Sequence, residues 1–504
     1  MQERQTQISV ELIFFELELM AAKPEVIDPL GADESLADYR HFIHASRLFR
    51  DHRLPEGEEK ILEEKANTGG RAFERLFDES VSSIEFKVTL NGAEQTMTEP
   101  EVLALLREPN RETRKSAAEA LTDGLVDNGR LLTFIFNTLV FDKSIDDRLR
   151  RYDHPEQARN IANELDKDTV ETVISTCVDN YELVARYYRT KREILGYDTL
   201  THYDRYAPLF ESRKHYSFEE GKQTVLDSFG EFSDAVRRSA AEFFKGNWID
   251  AEARPGKRGG AFCLYCTPDV HPYVLMSYLN RKDDVMTLAH ELGHGVHAYL
   301  SRGQRYVNYS SALPVAELAS TFGEILVFES LVARADLDEK LALYAEKIEG
   351  IFATIFRQAA MYRFEQELHR GRREQGELTS DAIGEMWQRN VQAMFGDSVT
   401  LGDEHGNWWM YVSHFIGSPF YVYAYSFGEL LVMALYSMYK REGESFARKY
   451  VEMLKAGGSC SPTELLLRVG IDIKDPDFWR GGMEVVEEFV SEFEDVYAQW
   501  KGKS

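Results

Sequence analysis

The stretch Asp284-Val-Met-Thr-Leu-Ala-His290-Glu291-Leu-Gly-His294-Gly-Val-His297 places two histidines four residues apart, with a glutamate directly after the first. On a helix, residues four apart share a face, so both imidazoles can reach one metal ion. Glu291 then stands beside the first ligand, within reach of a water on that metal. The surroundings read as a helix. Asp283 and Asp284 suit its start, and Leu288, Leu292 and Val296 supply an apolar face. Gly293 and Gly295 each cost about 1 kcal/mol against alanine in a helix, so something is expected to pack closely against them. With 13 histidines in 504 residues, about 0.03 chance occurrences of this spacing are expected.

A catalytic zinc site uses three protein ligands and keeps one position for water. One class adds a third histidine six residues after the second, following a glycine. Those positions hold Leu300 and His297, which excludes that class. The other source is a glutamate on a following helix. Pro314-Val-Ala-Glu317-Leu-Ala-Ser320-Thr-Phe-Gly-Glu324 offers two, seven apart and on one side of a helix starting near Pro314. One can ligate zinc while the other hydrogen-bonds a ligand histidine from behind. His297 shares the face of His290 and His294. It is expected to support a ligand from behind or to pack, since a fourth ligand would close the site.

A chain of this length exceeds one hydrophobic core, and 43% apolar residues are ample for two lobes. The net charge of −26 argues against a nucleic-acid partner, because a phosphate backbone would be repelled. Four cysteines make no disulfide framework, which points to a reducing compartment. In MQERQTQISVELIFFELELMAAK, Glu11, Glu16 and Glu18 break the apolar run and no basic segment precedes it, so neither a signal peptide nor a membrane span is expected. The expectation is a cytoplasmic protein with no membrane partner. Its oligomeric state is left open.

Apolar periodicity predicts helices over residues 1 to about 80 and again from about 100 to 245. Between them, Ile84 to Leu90 alternates and runs into Asn91-Gly92, a hairpin signal over 84–98. Thr98 to Glu101 reads as a capping box. Asp168 to Leu195 reads as one long helix ended by Gly196. Pro255-Gly-Lys-Arg-Gly-Gly260 is the clearest break, and Gly303 closes the motif helix. The fold class is mainly α with one or two small β elements. Residues 1–245 form an N-terminal helical lobe and 246–504 a catalytic helical lobe.

His290-Glu-Leu-Gly-His294-Gly-Val-His297, followed by Glu317-x-x-Ser320-x-x-x-Glu324, resembles the zinc oligopeptidases of the thimet oligopeptidase and oligoendopeptidase F family. Gly260-Ala-Phe-Cys263, Phe356-Arg-Gln358, His414-Phe-Ile-Gly-Ser-Pro-Phe-Tyr-Val-Tyr-Ala-Tyr425 and Gly470 to Trp479 extend the likeness over residues 80 to 504. The N-terminal region is shorter than in the oligoendopeptidase branch, which bears on how the channel closes. The resemblance implies two helical lobes around a deep substrate channel with one zinc ion at its floor. It implies His290, His294 and Glu317 as ligands and Glu291 as general base. It also implies that a Tyr or His of the His414–Tyr425 run stabilises the oxyanion. Tyr425 and then His414 lead, with Tyr421 and Tyr423 as the other members.

The chemistry then expected is zinc-dependent endohydrolysis of short, unstructured peptides, with Glu291 taking the proton from the attacking water. Gly259, Gly260, Ala261 and Phe262 are expected to form an edge strand that pairs with an extended peptide backbone. Two other readings stay open. A carboxypeptidase or dipeptidyl-carboxypeptidase on this scaffold would need a cation for the terminal carboxylate, for which Arg357 and Arg363 are candidates. A catalytically silent peptide-binding protein would not need the intact Glu291. Cys263-x-x-Cys266 lacks a second cysteine pair and reads as a buried or edge thiol pair. Lys257 lacks the spacing of a phosphate-binding loop.

Overall fold

The computed structural model describes residues 2–210 and 214–503 and is mainly α-helical, as the sequence predicts. Helices Gln2–Ala21, Pro24–Ala32, Arg40–Ser46, Glu56–Ala66 and Gly70–Ser82 precede a hairpin. Its strands are β1 (Phe86–Leu90) and β2 (Ala93–Met97), with Leu90 opposite Ala93. Asn91 and Gly92 have φ of 52° and 79°, the left-handed backbone that a two-residue turn requires. Thr98 then starts the next helix, its N–H donating to Glu101 at 2.8 Å.

The long helix expected from Asp168 to Leu195 is two, Lys167–Asp179 and Tyr181–Leu195. They break at Asn180, whose side-chain amide donates to the carbonyl of Thr176 at 2.8 Å and so ends the first helix locally. Gly196 closes the second with φ of 67°.

A second sheet is made of β3 (Ile249–Glu252), β4 (Phe262–Leu264) and β5 (Tyr273–Tyr278), in the order β3-β5-β4. β4 is therefore a free edge. It starts at Phe262, so Gly259, Gly260 and Ala261 lie in the loop before it rather than in the strand. Gly260, with φ of 84°, breaks the extended backbone. In that loop Lys257 is structural: its ammonium donates to the carbonyls of Asp250 and Glu252 at 2.9 Å and of Met276 at 2.6 Å, tying the loop onto β3 and β5.

The motif helix spans Lys282–Ser301. Asp284 accepts the N–H groups of Leu279 and Arg281 at 2.8 Å each, satisfying donors that precede the first turn. Asp283 is exposed and takes no part in this cap. A second helix, Leu318–Arg334, lies against it at backbone contact. A Cβ on Gly293 would stand 2.3 Å from the Ala319 carbonyl oxygen and 2.5 Å from the Ser320 Cα. On another side, a Cβ on Gly295 would meet the Phe243 ring at 2.6 Å. The expected close packing is thus present at both glycines. Helices Phe218–Phe232 and Asp234–Lys245 cover the motif helix, while Leu337–Thr354 and Tyr423–Glu442 pack on Leu318–Arg334. One cluster of buried side chains runs from Phe77 to Val496 and is shared by helices on both sides of residue 245. Among the described residues no helix is long and apolar enough to cross a membrane.

Replacing Gly293 by alanine is expected to lower stability by about 1–3 kcal/mol, because the clash with backbone outweighs alanine's better helix propensity. A urea midpoint equal to or above that of the unchanged protein would contradict this packing.

Candidate metal centre

The motif helix presents His290 and His294 on one face, and the segment leading into the second helix brings Glu317 over them. Glu317 is the residue immediately before that helix, so a short 3-10 turn at Leu313–Val315, not the helix itself, sets its position. The His290 and His294 Nε2 atoms are 3.2 Å apart. The Glu317 Oε2 lies 3.5 Å from the first and 3.3 Å from the second. Four ligands placed tetrahedrally about 2.0–2.1 Å from zinc are about 3.3 Å from one another. The three observed separations match that edge length. Among the described residues this is the one group of three or more such side chains able to share an ion.

Two further contacts hold the ligands. His290 Nδ1 lies 2.5 Å from Glu324 Oε1, a contact that turns Nε2 towards the cluster. The Ser320 hydroxyl donates to Glu317 Oε2 at 2.6 Å. Burial pulls the His290 imidazole down, but the Glu324 hydrogen bond and the charges of Glu324, Glu317 and Glu291 outweigh it and raise the pKa to about 9. Burial pushes the Glu317 carboxyl up, and its hydrogen bond and ion pairs with the two histidines overcome this and bring it down to about 2. Lys347, an unforeseen neighbour, stands 3.7 Å from Glu324 and 3.9 Å from Glu429 and offsets their charge.

Glu291 is buried beside the pair, and burial raises its carboxyl above the ordinary range. The backbone N–H of Cys263 on β4 hydrogen-bonds it. The edge strand and the motif glutamate are therefore neighbours. His297 is buried under the same helix outside the group of three, and burial holds its imidazole neutral by lowering it to about 4.

The tyrosine run divides. Tyr425 lines the cavity that contains His290 and Glu317. His414 Nε2 lies 3.3 Å from the Tyr425 hydroxyl, and Tyr421 packs against both rings. Burial pushes the Tyr425 phenol up to about 12, so it remains a donor at neutral pH. Tyr423 is displaced from the expected set: it is buried, accepts from Asn163 at 2.8 Å and packs edge-on to Tyr362. Residues 421 and 425 are four apart, while 423 points half a turn away into the core. The backbone of this run is held at Phe420, whose φ is 58° and whose N–H donates to buried Glu365 at 2.8 Å. Nothing local in the sequence marks Glu365. Arg363 pairs with Glu171, and neither Arg357 nor Arg363 lines the cavity at the cluster. All four cysteines are free, with Cys263 half-buried and Cys266 exposed.

Comparison with known proteins bears on the family and the fold. The model of peptidase family M3 matches residues 104–485, and an N-terminal model described as Oligopeptidase F matches residues 18–86, so the likeness reaches beyond the landmarks that begin at residue 80. Oligopeptidase PepF of Bacillus subtilis is 30% identical over 480 residues, covering 93% of this chain and 70% of its own. An oligoendopeptidase F homolog of Lactococcus lactis is 27% identical over 494 residues, covering 96% and 81%. The crystal structure of oligoendopeptidase-F from Enterococcus faecium superposes with a TM-score of 0.79 at 20% identity, covering 98% of this chain and 85% of that one, and supports the fold.

Calorimetric titration of the metal-free protein with zinc is expected to give one site per chain. Glu317→Ala should weaken it by 100-fold or more and Glu324→Ala by about 10–100-fold. A ligand imidazole must be neutral, so affinity should rise with pH until His290 has lost its proton near 9. Unchanged affinity in Glu317→Ala would place the third ligand elsewhere.

Proposed function

This chain belongs to peptidase family M3, and on that premise we propose that it is a zinc-dependent endopeptidase acting on short, unstructured peptides. The observation that carries the reading is the convergence of His290, His294 and Glu317 at tetrahedral spacing, with Glu291 buried alongside. Those three side chains would hold a single zinc ion, which when bound would supply Lewis-acid polarisation of a peptide carbonyl and lower the pKa of a water towards about 7. Glu291 takes the proton from the attacking water and delivers it to the leaving amine. Its raised pKa suits a group that must both accept and return a proton near neutral pH. Tyr425 donates its hydroxyl to the developing oxyanion. His414 orients it by donating from Nε2 to the phenol oxygen, and burial keeps that imidazole neutral. Tyr421 fixes both rings. Glu324 holds His290 in the ligating tautomer, and His297 packs beneath the helix.

Substrate backbone pairs with the free edge of β4 at Phe262, guided by the loop at Gly259, Gly260 and Ala261. Such pairing gives affinity without side-chain preference. The two cations lining the cavity are already engaged, Lys282 with Glu346 and Lys347 with Glu324 and Glu429. That supports internal cleavage over carboxypeptidase action, which needs a cation free for a terminal carboxylate. Intact Glu291 counts against a silent binding protein. Division into lobes at about residue 245, a channel between them and a cytoplasmic setting suited to free thiols complete the reading.

Glu291→Gln is expected to retain zinc and lose about 10²–10⁴-fold in kcat on a quenched oligopeptide. In the unchanged enzyme, activity requires ionised Glu291, so it is present above that group's pKa and lost as pH falls through it. Near-normal turnover by Glu291→Gln would remove the general-base assignment. Products identified by mass spectrometry, if confined to terminal residues or dipeptides, would remove the endopeptidase one.

A further inference from the structure

We propose that Arg205, Arg357 and the hydroxyls of Tyr206 and Tyr411 form a binding site for one small, singly charged anion, either a halide or the terminal carboxylate of a peptide. Arg205 is 6% exposed and carries a charge that arginine does not give up in proteins. Its Nη2 donates to the Tyr206 hydroxyl at 2.6 Å, and its Nε finds no acceptor. The guanidinium carbon stands 4.5 Å from the centre of the Tyr206 ring and 5.7 Å from that of Trp408. Arg107, exposed, lies over the same Tyr206 ring at 5.8 Å. Arg357 also has a buried Nε without an acceptor, and its charge reaches both Tyr206 and Tyr411. Burial pushes the Tyr206 phenol up, but the charges of Arg205, Arg357 and Arg107 outweigh it and bring the group below its usual value. Tyr206, Tyr411 and Arg357 are half-buried, so an ion can enter from solvent.

Three guanidinium groups thus converge on two phenols. Among the described residues no carboxylate lies within ion-pair distance of any of the three. Asp204, beside Arg205 in the chain, is taken by Arg111 and Arg114 at 2.7 and 3.1 Å. Glu99 acts on Tyr411 but pairs with none of them. A chain of net charge −26 has acidic groups in excess, yet supplies none here. A buried cation without a counter-charge is costly, and arginine cannot escape by losing its proton. A bound anion removes that cost. The aromatic walls offer little to replace a tight hydration shell, which suits a weakly hydrated, singly charged ion better than a phosphate.

Arg357 stands three residues beyond Thr354, which lines the cavity of the metal cluster, and Tyr411 precedes His414 by three. Neither Arg205 nor Arg357 lines that cavity. The site is therefore a neighbour of the metal centre, distinct from the cation that an exopeptidase needs within it.

The test uses the zinc-loaded full chain at constant ionic strength, with chloride replacing gluconate in steps. The unfolding temperature should rise saturably with chloride. Arg205→Met and Arg357→Gln should each raise the chloride concentration at half-saturation by about 10-fold or more. In gluconate alone Arg205→Met should unfold at or above the temperature of the unchanged protein, because an unbalanced charge is gone. An arginine present only for packing would give a lower temperature in both salts, which would overturn the site. Peptides ending in a free acid or an amide separate the two anions. A halide site gives the same chloride dependence of kcat/KM with both. A carboxylate site gives the acid a KM about 10-fold or more below that of the amide, a gap that closes in Arg357→Gln, with chloride competing against the acid alone. If neither chloride nor the terminal acid responds to the two substitutions, the site is wrong. It is equally wrong if phenolate absorbance at neutral pH disappears in Tyr206→Phe, since that phenol would then be the counter-charge. Crystals of the unchanged protein grown in bromide give a readout without substitution: anomalous scattering is expected between Arg205 and Arg357, and its absence there would contradict the site.

Discussion

Two helices meet backbone to backbone at Gly293, and the arrangement of the candidate metal centre depends on that contact. Any side chain there would strike the Ala319 carbonyl and the Ser320 Cα. The contact brings Glu317, at the start of one helix, above a histidine pair in the middle of the other. The same approach places Glu324, two turns further on, behind His290. A glycine inside a helix costs about 1 kcal/mol in propensity. Here it obtains a ligand spacing of 3.2–3.5 Å.

Concentrating carboxylates in a partly buried site is electrostatically costly unless each has a partner. Glu317 has two imidazoles and Ser320, Glu324 has His290 and Lys347, and Glu291 has the Cys263 N–H. The carboxyl groups are consequently driven apart: Glu317 is held ionised, and Glu291 is moved up by burial. Divergent environments for chemically similar groups allow one to ligate and another to transfer protons.

Much of this was legible in the sequence because it depends on short spacings. His290 and His294 share a face through their four-residue interval. The glycines announced a close neighbour, and Asn91-Gly92 specified its turn. Glu317 and Glu324 were legible as a pair, though not that Glu317 would precede its helix. The separation of Tyr421 and Tyr425 from Tyr423 was also available, since helical spacing sends 423 to the opposite side. Other features were not local. The break at Asn180 interrupts no apolar stripe, and its signal is a single side-chain cap. Gly260 stood in a pattern that also fits an extended strand, and its left-handed backbone became evident only in the fold. Lys347, Glu429 and Glu365 reach their partners from helices distant in sequence. A boundary near residue 245 is hard to read for a related reason: helices before and after it bury side chains in one continuous core.

The central claim is that this chain alone supplies a two-histidine, one-glutamate zinc site. Zinc-edge X-ray absorption on the loaded protein tests it most directly. The expected result is a shell of about four nitrogen and oxygen atoms at about 2.0–2.1 Å, with outer scattering from two imidazoles. A sulfur neighbour at about 2.3 Å would bring Cys263 or Cys266 into the site and contradict the account, as would a shell with fewer than two imidazoles.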